Sequence, residues 1–490
     1  MLRYIGLTAL GWTLAACASA PQPDSPPPPP EPVIVETTTA ERPRAELFMT
    51  QGSAMEQCES VSAVHQVFTC MEIFYGTNRE LLEPGVQNGE RPRDLGNLFG
   101  PRADRPNNCD PNADLLRDTA TKFDTCHLGT VTVSVPFKRD DKLEDGGGSP
   151  KFARSGEELS DRDLRSEFAI MGFDRLAEAD FIELIQLRLG GATQTEGHAI
   201  VYVHGFNVPF RNAAFRAAQL KYDTGFDGPV MFFSWPANQS AFAYLNDQTD
   251  ADLSVDALAR FLRLAHHTVT EQNPDAEVHI IAHSMGTRVT AQALSRIASF
   301  EDDNLFGEVI FAAGDLDDSL FTEWIGSATH LMDGVTLYAS NMDGAVAVSS
   351  VLRNLTAPFG TQDDPKRRIG FFDGDGAPAT YPAIVDEARP EFRVDTIDIS
   401  RIGGRSLFGF INLSRWFVAN HAAYANSTNV TDDMIALICQ SNPEDGIRPM
   451  PPERGMLEFE TEDGFWRALN TARGDRPIKP GCTAFGTADG

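Results

Sequence analysis

Three kinds of side chain in this sequence have the chemistry of nucleophilic catalysis, and they occur in the order Ser, Asp, His. Ser284 lies in "EVHIIAHSMGTRV", where an apolar run meets a helical pattern. Acidic residues close two later apolar runs: Asp315, with Asp317 and Asp318 behind it, and Asp343 in "YASNMD". His421 follows in "ANHAAYANSTNVTDDM". A serine hydroxyl is a poor nucleophile at neutral pH. It needs a base to take its proton, and the base needs an acid that fixes its tautomer and stabilises the imidazolium. Ser284 as nucleophile, His421 as base and one aspartate as acid supply those roles for acyl transfer.

The turn at Ser284 departs from Gly-x-Ser-x-Gly, the usual form of a sharp strand-to-helix turn that exposes a serine. Gly286 keeps the second glycine, and Ala282 stands at the first. Small residues are required there because strand and helix approach closely, and a methyl group is the mildest departure. The oxyanion formed on attack needs backbone donors. Met285, after the nucleophile, offers one N–H, and the turn His204-Gly205-Phe206 offers the other at Phe206. His204 and His283 are expected to shape the loop and the turn.

The elements that must position these residues are legible in the hydropathy. Apolar runs end at "HAIVYVHGFN", "GPVMFFSWP", "EVHIIAHSMG", "EVIFAAGDLDD", "GVTLYASNMD" and "FRVDTIDIS". They lack polar alternation, as strands buried on both faces do. Leu258, Phe261, Leu262, Ala265 and Val269 share one helical face; Val289, Ala293, Leu294 and Ile297 share another. "VFTCMEIFYGT" and "GTVTVSVPF" read as earlier strands, and "FDRLAEADFIELIQLRL" as a helix. Strands alternating with helices predict an α/β fold, a mostly parallel central sheet with helices on both faces. Reactive groups then gather at the carboxyl ends of the strands. Asp343 follows the strand two after that of Ser284 and is the first candidate for the acid. Asp315, one strand earlier, is the alternative, and Asp317 lies behind it.

In order, "FYGTNR", "LGTVTVSVP", "VYVHGFN", "MFFSWPA", "AHSMGTR", "FAAGDLD", "TLYASNMDGA" and "NHAAYANSTNV" resemble a bacterial α/β-hydrolase family of undefined function in the esterase/lipase superfamily. The likeness runs from about Ile73 to about Ile438. It implies an α/β-hydrolase fold and a Ser-Asp-His triad. Around His421, where family members read Gly-His-Ser-Tyr, this chain reads Asn420-His421-Ala422-Ala423-Tyr424.

The 490 residues carry a formal net charge of −29, which repels phosphate backbones and excludes nucleic acid as an expected partner. Arg3 precedes a short apolar run, Tyr4 to Leu14, too short to span a bilayer. Leu14-Ala15-Ala16-Cys17 resembles a lipobox, which makes Cys17 the lipid-bearing first residue of a mature envelope protein. Ala18, in place of Asp, favours the outer membrane. Pro21 to Pro32 is an extended spacer. The expected organisation is a signal peptide (1–16), a lipidated linker (17–46), N-terminal strands and a helical segment (47–196), the catalytic core (197–440) and a C-terminal extension (441–490). Beyond Cys17, sequence neighbours pair most simply as Cys58–Cys70, Cys109–Cys126 and Cys439–Cys482.

A small or lipid-like acyl ester or thioester is the expected substrate, with no cofactor or metal. "DGDG" (373–376) lacks the later ligands of a calcium loop. "LFGFINLSRWF" (407–417) reads as core helix ahead of an acyl-pocket wall or a lid, and Tyr244 and Asp247 are candidates to face substrate that the spacing does not single out. Two rival functions share these features: a non-enzymatic envelope binding protein on the same fold, and an acyltransferase using the same triad.

Overall fold

The computed structural model describes residues 54–81, 99–103, 127–137, 151–152, 161–192, 197–237, 244–341, 368–372, 376–402, 427–441, 448–462, 464–469 and 482. In chain order the strands are β1 (Phe68–Thr77), β2 (Arg79–Leu81), β3 (Phe99–Ala103), β4 (His127–Pro136), β5 (Lys151–Phe152), β6 (Glu167–Leu176), β7 (Ala199–Val203), β8 (Val230–Ser234), β9 (Val278–His283), β10 (Phe306–Ala312), β11 (Met332–Ala339), β12 (Val394–Asp398), β13 (Phe459–Glu462) and β14 (Phe465–Ala468). The helices are α1 (Ala54–His65), α2 (Asp161–Ser166), α3 (Glu178–Leu189), α4 (Phe210–Thr224), α5 (Tyr244–Leu253), α6 (Val255–Thr270), α7 (Gly286–Ala298), α8 (Asp318–Gly326) and α9 (Thr428–Gln440).

One sheet of 12 strands runs β13-β14-β12-β11-β10-β9-β7-β8-β1-β4-β6-β5. From β14 through β1 every pairing is parallel. β4 and β6 extend it antiparallel. This is the α/β-hydrolase arrangement that the apolar runs predict. Each run is apolar throughout because successive residues face opposite layers. Val201, Val203, Ile280, Val309 and Phe311 pack with α6 and α7 on one face. Ile200, Tyr202, Ile281, Ile310 and Tyr338 pack with α4 and α9 on the other. Leu258, Phe261, Leu262, Ala265 and Val269 of α6 are all buried in the first layer, as their spacing requires.

The expected helix in "FDRLAEADFIELIQLRL" begins late. Phe173 to Leu176 complete strand β6, paired with β4, and the helix starts at Glu178. Sheet pairing outweighs local pattern at this junction, because the chain upstream, "EFAIMGF", already belongs to the strand. The pairs Cys58–Cys70 and Cys439–Cys482 are disulfides. Cys109 and Cys126 lie outside the described residues, as do Cys17, Asp373 and the segment 407–417.

Candidate active site

Ser284 sits between β9 and α7 with φ 55°, in the left-handed region. For a non-glycine residue this costs on the order of 1–3 kcal/mol and persists only where neighbours enforce it. Here they do. The Ser284 N–H donates to Ala312 O at 3.0 Å, and its carbonyl accepts from Thr287 N at 3.0 Å and Asp315 N at 3.1 Å. Gly286 is obligatory: a Cβ there would fall on His204 O and lie 2.7 Å from Val203 O. Ala282 pairs in register with Val203 and Phe311 and is fully buried in the core. Its methyl group has its own space, so the first small position of the turn admits alanine while the second does not.

The His204–Val208 loop lies directly against this turn. A Cβ on Gly205 would come 2.6 Å from Ser284 Cβ. Among the described residues neither Phe206 N–H nor Met285 N–H donates to a backbone carbonyl. Met285 N–H is one of the orphan donors of the α7 N-terminus. Met285 follows Ser284 directly, and the loop that carries Phe206 packs against Ser284 at Gly205.

Three stretches far apart in sequence, "TNR", "HGFN" and "FSWP", close into one buried hydrogen-bonded cluster behind the loop. Arg79 donates from Nε to Ser234 Oγ at 2.8 Å and from Nη2 to Val208 O at 2.7 Å. His204 Nδ1 lies 2.8 Å from Gly205 O, so Nδ1 carries the ring proton. Its Nε2 then accepts from Ser234 Oγ at 3.2 Å and Arg79 Nη2 at 3.3 Å. Burial, reinforced by the Arg79 charge, pushes His204 down to about 3. The ring is neutral, stacked on Trp235 at 5.1 Å, with both nitrogens engaged; it shapes the loop, as expected, and is no base. Trp235 Nε1 donates to His204 O at 2.7 Å. Asp247 is fully buried and accepts the Asn207 N–H at 3.2 Å, where Asn207 itself has φ 56°. Asp247 thus holds the backbone of the loop.

Asp315 lies beside the turn with its carboxylate engaged on both oxygens. Tyr244 Oη donates to Oδ2 at 2.7 Å, and Arg368 Nε lies 3.2 Å from Oδ1. Arg368 also meets Asp317 at 3.3 Å. Burial opposes the Arg368 charge, but Asp315, Tyr244 and Asp317 outweigh it and hold the guanidinium protonated. The Tyr244 ring packs edge-on against Phe206 at 5.5 Å. Arg368, in the polar stretch "DDPKRRIG", carries no sequence signal of a role; Arg79 ends "FYGTNR", which marks it only as part of the family likeness. His421 and Asp343 lie outside the described residues; the described chain reaches Asn341, just past the carboxyl end of β11.

His198, Glu277 and His279 form a second titratable cluster at the amino edge of the sheet, the edge opposite Ser284. His279 Nε2 is 3.3 Å from His198 Nδ1, and the two lie 3.8 and 4.0 Å from Glu277 Oε2. The spacing suits a tetrahedral cation, but the protons do not. His198 Nδ1 accepts Glu277 N–H at 3.1 Å, and His279 Nδ1 accepts Glu308 N–H at 3.0 Å. His279 Nε2 must therefore carry the ring proton, and no lone pair there faces a metal. Burial pushes His198 down to about 4. Burial, with Asp333 as hydrogen-bonded neighbour, pushes Glu277 up to about 10. The group is a neutral, proton-sharing part of the core.

Residues 185–368 match the model of a family described as an α/β hydrolase of unknown function (DUF900). An uncharacterized protein of Nostoc sp. (strain PCC 7120) is 27% identical over 139 residues, which cover 23% of this chain and 35% of that protein. The match thus spans about a third of that relative's length. Among solved structures, a Trichoderma reesei cutinase in complex with a phosphonate inhibitor aligns with 52% of this chain and 90% of its own, at 13% identity and a TM-score of 0.20. So low a score bears no further conclusion.

Proposed function

We propose that the protein is a serine hydrolase of carboxylic esters or thioesters, with Ser284 as nucleophile. The observation that carries this is the strained, left-handed Ser284 at a parallel-strand end, pressed against the loop at Gly205. Strain of this kind has to be held by the surrounding fold, and setting a serine at the apex of a sharp strand-to-helix turn is what it provides. Ser284 Oγ bonds to the carbonyl carbon while its proton passes to His421. The oxyanion is held by the N–H groups of Met285 and Phe206. Collapse breaks the bond to the alcohol or thiol, which leaves with the proton from His421; water then repeats the sequence and frees the acid. Asp343 orients His421. The engagement of both Asp315 oxygens by Tyr244 and Arg368 supports Asp343 over Asp315. Cys17 anchors the protein by lipid to the cell envelope, facing the periplasm.

The test is fluorophosphonate labelling of the full chain with a Ser284→Ala control, followed by an ester panel of graded acyl length. Labelling lost in Ser284→Ala and ester turnover lost with it are the expected results. A folded wild-type protein that takes up no probe would mark a binding protein on a hydrolase fold. Product analysis with added alcohol separates hydrolysis from acyl transfer. Cys17→Ser is expected to move the protein from the membrane to the soluble fraction.

A further inference from the structure

Arg79 is a fully buried cation with an unusual cost. Taking a guanidinium out of water is penalised by several kcal/mol, and an apolar side chain of similar volume is often as stable in such a place. Burial depresses Arg79 to about 9, with Asp247 and Asp250 acting against that shift, so it remains charged at neutral pH. Its bonds to Val208 O, His204 Nε2 and Ser234 Oγ converge on the loop that packs against Ser284. Nη2 holds Val208 O at the far end of the loop and reaches His204 Nε2 at the near end, while Nε holds Ser234 Oγ, which itself bonds His204. Gly205, Phe206 and Asn207 are the residues between those two anchor points. Asp247, whose charge also acts on Arg79, takes the Asn207 N–H of the same loop.

We propose that Arg79 is a positioning residue of the active site: through His204, Ser234 and Val208 it holds the loop so that the Phe206 N–H faces the oxyanion on the carbonyl attacked by Ser284. The inference rests on the serine-hydrolase reading above. The physical reason for an arginine is its planar fork. It reaches a hydroxyl, an imidazole nitrogen and a carbonyl from one fixed plane, whereas a lysine ammonium is a point charge on a flexible stem. The bonds tie the loop to β8, whose Ser234 stands at the carboxyl end of its strand. Loop and turn therefore keep a common frame.

The test uses the full chain and a p-nitrophenyl ester that the wild type hydrolyses, with Arg79→Lys, Arg79→Met and the milder Ser234→Ala. A trifluoromethyl ketone, which adds reversibly to the serine and places an oxyanion in the same site, reports transition-state binding separately. Losing one oxyanion donor lowers kcat by about 10²–10³-fold, so a misplaced one is expected to cost Arg79→Met on the order of 10²-fold in kcat with KM nearly unchanged. Inhibitor affinity should fall by a similar factor. Arg79→Lys should recover part of the loss, and Ser234→Ala should lose roughly 10-fold by the same reasoning. Thermal melting selects variants that are folded at the assay temperature. If Arg79→Met fails to fold, Ser234→Ala carries the test. Folded variants with wild-type kcat, or with kcat lost and inhibitor affinity retained, overturn the inference. Wild-type protein unlabelled by fluorophosphonate would instead remove the hydrolase reading itself, and this inference with it.

Discussion

Gly205→Ala tests the geometry of the site at one methyl group. The added Cβ would sit 2.6 Å from Ser284 Cβ and 3.0 Å from His283 O. Carbon atoms rest at about 3.5–4.0 Å, so the overlap is roughly 1 Å. Neither neighbour can rotate away: Ser284 Cβ is fixed by its own backbone, which is held by bonds to Ala312, Thr287 and Asp315. The His204–Val208 loop must retreat instead. Productive geometry tolerates about 0.5 Å, and a misplacement of about 1 Å costs roughly 10²-fold in rate. Overpacking costs about 1–3 kcal/mol of stability in addition. Gly205→Ala is therefore expected to lower kcat for an ester by about two orders of magnitude, with a lowered melting temperature. Ala282→Gly is the matched control. It restores the usual glycine of the turn and removes one buried methyl, so kcat should stay near wild type while stability falls by about 1 kcal/mol. Initial rates and melting curves of both variants decide the matter. A Gly205→Ala protein with wild-type kcat would refute the claim that loop and nucleophile share so tight a contact.

Three further outcomes are expected. Glu277 is raised from 4.5 to about 10 in the folded state, so the folded protein binds the extra proton across that window and stability falls as pH rises through it. Glu277→Gln removes a slope of up to about 1.4 kcal/mol per pH unit, and its melting temperature should gain on wild type from about pH 5 to about pH 9; parallel curves would contradict the shared proton. Asp343→Asn is expected to lose on the order of 10³–10⁴-fold in kcat, while Asp315→Asn, which weakens the buried Arg368 pair, should chiefly lower the melting temperature; the reverse pattern on one ester would make Asp315 the acid. Breaking Cys439–Cys482, which closes 43 residues of sequence, should cost up to about 4 kcal/mol by loop entropy with kcat intact below the transition; an unchanged melting temperature would count against that.

The parallel sheet was legible because burial on both faces writes itself as unbroken apolar runs, and the ends of β7, β8 and β9 fall where those runs stop. The turn at Ser284 was legible because close packing of strand on helix restricts residue size at Gly286. The start of α3 was misread because Phe173 to Leu176 satisfy a helical spacing while pairing with β4, and pairing is a long-range choice.

By itself, then, the sequence determined the order of strands and helices along the chain and the small-residue turn at Ser284, since each depends on local pattern; the neighbour pairings Cys58–Cys70 and Cys439–Cys482 were the simplest of several, and the structure decided them. Only the tertiary structure decided what the polar residues near the site do. Burial, with Arg79 and Ser234 at Nε2, keeps His204 neutral, Asp247 accepts from the Asn207 amide, and Asp315 accepts from Tyr244 and pairs with Arg368. A buried charge is defined by the partners that compensate it. Here Arg79 lies 129 residues from Val208 and Tyr244 lies 71 from Asp315, so no local pattern carries the pairing.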